Sequence, residues 1–99
     1  MSQNDIGVSM PEINSKDNAS KQWRQIVERL LKSEMSRRGV KYQDLSDRLT
    51  IIGVNQSADN LRNKVNKGIL GADLLLQIMY VLNIRSISKD VLEDFIQDL

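Results

Sequence analysis

The chain contains no cysteine and no histidine among its 99 residues. These absences exclude disulfides, thiolate nucleophiles, Ser-His-Asp triads and metal sites built on thiolate or imidazole ligands. Aromatic residues make up only 4%, and proline occurs once, at Pro11. The remaining carboxylates, hydroxyls and lysines form no recognisable constellation of acid, base and nucleophile. We therefore expect a protein that is not an enzyme and that holds no metal and no cofactor.

Long apolar runs are also missing. The segment 68–84 is the most apolar part of the chain, but it includes Asp73 and Gln77 and falls short of the roughly 18 uninterrupted apolar residues of a membrane span. The opening residues lack the basic segment followed by an apolar one that is typical of a secretion signal. A chain of 99 residues can form one compact domain. These features predict a single cytoplasmic domain with no membrane contact.

The formal net charge of +1 hides a strong asymmetry along the chain. Residues 21–68 hold eleven Lys and Arg against five acidic residues, a balance of +6, whereas residues 1–20 carry −2 and residues 69–99 carry −3. A polyanion would therefore be attracted to the middle of the chain only. Several of the basic residues fall near predicted helix ends, among them Arg37 and Arg38.

Apolar residues spaced three and four apart predict five helices, and the domain contains no strand-forming run. The predicted helices run from the N-cap Ser20 to Gly39, from Tyr42 to about Thr50, from Ala58 to about Lys67, from Ala72 to about Leu82, and onward from the N-cap Ser88. The polar residues 1–19 are predicted to form a flexible N-terminal arm, and residues 20–99 the domain, which ends in an amphipathic helix.

Three packing predictions follow from the same spacing. Trp23 begins the apolar stripe of the first helix and is expected to face the core. The fourth helix is apolar on nearly all sides and is expected to be the central helix. In the second helix, Asp44 is expected to pair with Arg48 four residues on.

The third helix separates an apolar side from a polar side. On a helical wheel Leu61 and Val65 cluster on one side, while Asn60, Asn63 and Asn66 lie on the other. Asparagine is a mediocre helix former, so three of them at this spacing have a folding cost that packing does not explain. An Asn amide can pair with adenine N6 and N7 in the major groove, as Arg can with guanine O6 and N7. A solvated polar face is the alternative.

Two motifs resemble a known family. The run Leu45-Ser46-Asp47-Arg48-Leu49 and the turn Gly53-Val54-Asn55-Gln56-Ser57 are similar to the second helix and turn of lambda repressor and Cro, the XRE-like helix-turn-helix class. Leu61 matches the buried aliphatic residue of that family's recognition helix. This resemblance, over about residues 29–84, implies an all-α, five-helix, lambda-repressor-like bundle that binds double-stranded DNA with its third helix in the major groove.

The resemblance also implies a set of contact residues. Gln56 and Ser57 would lie near the DNA backbone, and Asn60, Arg62 and Asn63 would point toward base edges. The full set of predicted DNA-binding residues is Gln56, Ser57, Asn60, Arg62, Asn63, Lys64, Asn66, Lys67, Arg48 and Lys41.

The chain departs from the family pattern in three places. Thr50-Ile51-Ile52 lengthens the segment before the turn, and Tyr42 stands where the family has Gln. The third helix also runs longer before its glycine, Gly68. The run from Leu61 to Gly68 is also similar to small uncharacterised bacterial domains.

These observations predict a sequence-specific transcriptional regulator that binds DNA as a homodimer. The second copy would contact either the apolar stripe from Val91 to Leu99 or the N-terminal arm, where Ile6, Val8 and Met10 alternate. The stripe could instead pack beneath the fourth helix. The alternative function is a helical protein-protein interaction module, antitoxin-like or an accessory protein, without specific DNA binding.

Overall fold

A computed structural model of the protein describes residues 16–99, and the side chains from residue 19 onward. In this part of the chain there are five α-helices and no strand: α1 (Lys16–Arg38), α2 (Tyr42–Ile51), α3 (Ala58–Lys67), α4 (Ala72–Val81) and α5 (Lys89–Gln97). The predicted all-α fold with five helices is confirmed, and the lambda-repressor-like arrangement stays a prediction. The alternating apolar residues of the predicted arm lie outside the described residues.

The bounds of four helices agree with the predicted ones to within a residue or two, but α1 begins earlier than predicted. It starts at Lys16, so Ser20 lies within the helix rather than at its N-cap. Residues 16–20 include no Gly or Pro that would end a helix. The apolar spacing used for the prediction begins only at Trp23, which explains the late predicted start.

The core is supplied by all four of the first helices. Its fully buried side chains, each less than 2% exposed, are Leu31, Leu45, Leu49, Leu61, Val65, Ile78 and Leu82. α1 packs against α3 and α5, and α2 packs against α3 and α4. The centre of the bundle is therefore formed by α1, α2 and α3.

The prediction that the fourth helix is central was wrong. α4 packs against α2 and buries Leu74 and Ile78, whereas Leu76 is 64% exposed and Tyr80 is 75% exposed. Helix periodicity places only one face of α4 against the core. The apolar residues on the opposite face have no cover from any other described helix.

Two further packing predictions need correction. α5 packs against α1 rather than beneath α4, with Ile96 buried and the Arg29 guanidinium donating to the Asp98 carbonyl at 3.2 Å. Trp23 is 41% exposed instead of facing the core. Trp23 directly precedes Arg24, whose backbone contacts Gly68 at the end of α3. Successive residues of a helix point about 100° apart, and the side chain of Trp23 lies on a face of α1 that the described helices leave partly uncovered.

Candidate nucleic-acid interface

α3 is fixed at both ends by local signals in the sequence. The Ser57 hydroxyl accepts a hydrogen bond from the Asn60 backbone N–H at 3.0 Å, which caps the start of the helix. Gly68 ends the helix with φ = 64°, in the left-handed region that favours glycine. The predicted bounds of this helix are therefore confirmed by its two caps.

The two sides of α3 have the predicted orientation. Leu61 and Val65 are fully buried, and the asparagines at 60, 63 and 66 are all exposed. Arg62 and Lys67 are exposed as well, and Lys64 is half-buried. The amide side chains thus point away from the core and are available to a ligand.

The turn before α3 is tied to α2. The Ser46 hydroxyl, 9% exposed, donates to the Gln56 carbonyl at 2.6 Å, and the Val54 N–H donates to the Leu49 carbonyl at 2.9 Å. Gln56 itself is half-buried. These bonds hold α2 and α3 in a fixed relation, and they place Gln56 and Ser57 at the start of the exposed face of α3.

Two predicted basic residues have contacts away from α3. The Arg48 guanidinium donates to the Val81 carbonyl at 3.2 Å, at the end of α4. The prediction that Asp44 pairs with Arg48 was wrong. The Asp44 carboxylate instead accepts from the backbone N–H of Lys41 at 2.9 Å and caps the start of α2. Lys41 contributes its backbone to this cap and its exposed side chain to a groove beside α3.

Arg38 also lies at the end of α4. Its guanidinium donates to the Leu82 carbonyl at 2.7 Å and to the Asn83 carbonyl at 3.3 Å. It also pairs with Glu34, as does Arg37. Both arginines are therefore engaged by other groups of the same chain.

Three basic residues of α1 that the sequence prediction missed join two predicted ones of α3 in a row that follows the contact between α1 and α3. We call this row the α1–α3 seam, and it consists of Lys21, Arg24 and Lys32 of α1 with Arg62 and Lys67 of α3. Two open grooves lie along it, of about 410 and 330 Å³. Residues 21, 24 and 32 approximate a helical stripe, but only the packing of α1 on α3 shows which helix that stripe faces.

The first groove is bordered by an aromatic ring and three cations. The Arg62 guanidinium carbon lies 5.1 Å from the centre of the Tyr42 ring, a cation–π distance, and Lys32 and Lys41 border the same groove. Burial raises the pKa of Tyr42, and the nearby positive charges of Lys32 and Arg62 partly oppose this shift. Arg62 also pairs with the exposed Asp59 at 2.7 Å, which places one negative charge at the border of the asparagine face.

The second groove depends on a close approach between two backbones. A Cβ at Gly68 would lie 2.1 Å from the Arg24 carbonyl oxygen, so no other residue fits without moving α1 or α3. The end of α3 therefore contacts α1 directly. This contact brings Asn66 and Lys67 beside Lys21 and Arg24.

Together, the asparagine face and the seam form a polar, cationic surface around α3. Within residues 19–99 no three acidic side chains converge as metal ligands. No helix in the described part of the chain is both long and apolar enough to cross a bilayer. The surface offers amide groups for base edges and cations for phosphates.

Comparison with known protein families matches residues 23–87 to DUF6471, a domain of unknown function. No curated protein and no solved structure matches the chain. The matched residues run from the first half of α1 through α4 to the segment before α5. They include the asparagine face of α3 and every residue of the α1–α3 seam except Lys21. Since the match covers more than half of the sequence, the chain belongs to the DUF6471 family.

Proposed function

We propose that the protein is a sequence-specific regulator of transcription that binds double-stranded DNA with α3 in the major groove. One observation supports this proposal above the others. α3 is held by the fully buried Leu61 and Val65 while Asn60, Asn63 and Asn66 are exposed. A rigid helix with amides on its outer face is suited to reading base edges.

The surrounding charge supports the same function. Lys67 at the end of α3 and the basic residues of α1 flank the asparagine face, where phosphates on either side of a major groove would lie. Asp59 partly offsets this charge through its pair with Arg62. Both side chains of the pair are at least half exposed, so it opens at little cost when a stronger ligand arrives.

The first experiment is a selection from random duplexes, followed by a salt titration on the selected sequence. Asn63→Ala should cost about 1 to 3 kcal/mol of binding free energy, at one base position only. Lys67→Ala should weaken binding to all sequences alike and reduce the salt slope by about 1. Gln97→Ala and Lys89→Ala serve as controls, because both residues are exposed on α5. Equal losses on every sequence for Asn63→Ala and Lys67→Ala would contradict the assigned roles, and failure to enrich any duplex would contradict the function.

We also propose that two copies bind a two-fold site. The centre of the apolar stripe of α5 packs against α1, whereas Val91 and Leu99 near its two ends each stay 38% exposed. A larger uncovered apolar surface, which we call the α4 patch, consists of Ile51, Ile52, Leu76 and Tyr80, exposed by 84%, 40%, 64% and 75%. Contact through α5 or the N-terminal arm stays a prediction, and the α4 patch is a third surface for the second copy.

The size and charge of the α4 patch set the expected strength of this contact. Its four side chains are uncharged, so a two-fold contact of the patch with itself brings apolar groups together at its centre, with the Arg48 guanidinium at its border. At roughly 100 Å² of apolar surface per side chain, each copy would bury about 400 Å², half the area of a standard interface. Association should therefore be weak in free solution and become complete on DNA. Light scattering that finds one copy on a palindromic duplex at high protein concentration would contradict the dimer.

A second candidate function is a helical protein-interaction module without specific DNA binding. The α4 patch favours it, because exposed apolar patches on a small domain are typical of interaction surfaces. Three of its residues also border a groove of about 570 Å³ between α2 and α4. Tyr80→Glu separates the two functions. If the protein is a regulator, this substitution should leave the affinity of one copy for a DNA half-site unchanged. If it is an interaction module, the same substitution should abolish binding to its protein partner.

A further inference from the structure

The second groove of the α1–α3 seam has the features of an anion site. It has a volume of about 330 Å³ and lies between the N-terminal half of α1 and the end of α3. Its lining residues are Lys21, Arg24, Gln25, Glu28, Asn66, Lys67 and Ile69. Three of these side chains are cations, and two carry amide groups that can donate hydrogen bonds to an oxyanion.

The positive charge of this groove is not neutralised within the described fold. Among residues 19–99, none of Lys21, Arg24 and Lys67 takes part in an ion pair. The one acidic residue in the lining, Glu28, pairs with Lys32 at 2.7 Å. The groove thus gathers three like charges from two helices and offers them no partner of its own.

The geometry of the groove is fixed by backbone rather than by flexible side chains. The contact of Gly68 with the Arg24 backbone sets the distance between the two helices at this end of the seam. Lys67 directly precedes Gly68 on α3, and Arg24 is the residue of α1 that Gly68 contacts. The packing of the two helices therefore brings Lys21, Arg24 and Lys67 to the border of one groove.

We propose that this groove binds a phosphate group of a nucleic-acid backbone, with Arg24 and Lys21 on one side of the phosphate and Lys67 on the other. The proposal rests on the proposed function and names a contact made by α1. An Arg guanidinium can donate two parallel hydrogen bonds to a phosphate, and the neighbouring ammonium groups neutralise its charge. A strand that passes along the asparagine face of α3 reaches this groove directly after Lys67. A free phosphate would be bound by the same chemistry.

The test compares two double variants that each remove two positive charges. K21Q/R24Q removes them from the groove, and R85Q/K89Q removes them from exposed positions outside the seam. Binding of the selected duplex is measured against salt concentration, and the melting temperature is measured against added inorganic phosphate at constant ionic strength. Lys21 and Arg24 are both exposed, so the melting temperature without phosphate should match that of the wild type and serve as the check on folding.

For one lost phosphate contact, the salt slope of K21Q/R24Q should fall by about 0.9 and its affinity by roughly 8-fold at about 0.1 M salt, on every sequence alike. R85Q/K89Q should keep the wild-type slope. A wild-type slope in both variants, with specific duplex binding intact, would overturn the phosphate site and leave the regulator function standing. If no duplex is selected but inorganic phosphate raises the melting temperature of the wild type and not of K21Q/R24Q, the site stands for free phosphate and the regulator function fails. No response to duplex or phosphate would overturn both.

Discussion

The α1–α3 seam and the α4 patch share one core but differ in how their outer surfaces are built. At the seam, two helices approach closely at Gly68 and bring cations of both helices to one groove. At the patch, α4 contacts only α2 among the described helices and leaves Leu76 and Tyr80 exposed. The seam is closely packed and charged, and the patch is apolar and uncovered. The comparison shows that one small core can present two surfaces of opposite chemical character.

The largest effect is expected at the backbone contact of the seam. Gly68→Ala places a Cβ against the Arg24 carbonyl and forces a non-glycine residue to φ = 64°. The left-handed backbone costs about 1 to 2 kcal/mol, and the overlap about 1 to 3 kcal/mol more. Chemical denaturation should therefore show a loss of about 2 to 5 kcal/mol in the free energy of unfolding.

Gly39→Ala is the matched control for this change. Gly39 has nearly the same backbone angle, φ = 67°, and a Cβ there meets nothing within 4 Å. Its substitution should cost only the backbone term, about 1 to 2 kcal/mol. Equal losses for both variants would show that the close approach of α1 and α3 contributes nothing to stability.

A smaller effect is expected at the cap that fixes the start of α3. Ser57→Ala removes the acceptor of the Asn60 N–H and should lower the free energy of unfolding by about 1 kcal/mol. Ser57→Asn keeps a neutral acceptor and should stay close to the wild type. Because the cap orients the first turn of the asparagine face, duplex affinity should fall for Ser57→Ala and not for Ser57→Asn. A loss of affinity in both variants would instead point to a direct contact of the hydroxyl with DNA.

At the α4 patch, by contrast, polar substitutions should hardly change stability. Leu76→Gln alters a side chain that is 64% exposed, so the free energy of unfolding should change by no more than about 0.5 kcal/mol. Ile78→Ala, two residues further along α4 and fully buried, should cost about 2 to 5 kcal/mol. Leu76→Gln should nevertheless reduce self-association in sedimentation at high concentration. Unchanged association would exclude this residue from the contact.

The smallest effect is expected at Tyr42 and only at alkaline pH. Burial raises its pKa above the ordinary 10.0, so the folded protein holds this proton more tightly than the unfolded chain does. Its contribution to stability is complete below pH 10 and is lost as the pH rises through the folded pKa. In Tyr80→Phe, which leaves one tyrosine, the midpoint of tyrosinate absorbance should lie above 10.0. A midpoint at or below that value would contradict the prediction.

Local signals explain what the sequence could predict. Ser57 and Gly68 fix the ends of α3 through bonds to residues a few positions away, and Ser88 caps α5 in the same way with the Val91 N–H. The outward direction of Asn63 follows from helix periodicity once Leu61 is placed in the core. Each of these features depends on neighbours along the chain.

Long-range packing explains what the sequence could not predict. Lys21 and Arg24 belong to the site because α1 lies against the end of α3, and nothing in their own surroundings along the chain signals that contact. The exposure of Tyr80 depends in the same way on which helices cover α4. Arg48 has an acid four residues before it, yet its guanidinium donates to a carbonyl 33 positions away.

The end of α4 is held by hydrogen bonds from side chains that lie earlier in the sequence. Its last turn contains no basic residue, and the carbonyls of Val81, Leu82 and Asn83 accept from Arg48 of α2 and Arg38 of α1. The negative end of the α4 dipole is thus matched only after those two helices are in place. α4 should accordingly fold after those two helices, and its final turn should open reversibly in the folded protein. Amide hydrogen exchange should show its final turn opening ahead of α2 and α3, and faster still when both arginines are replaced by glutamine.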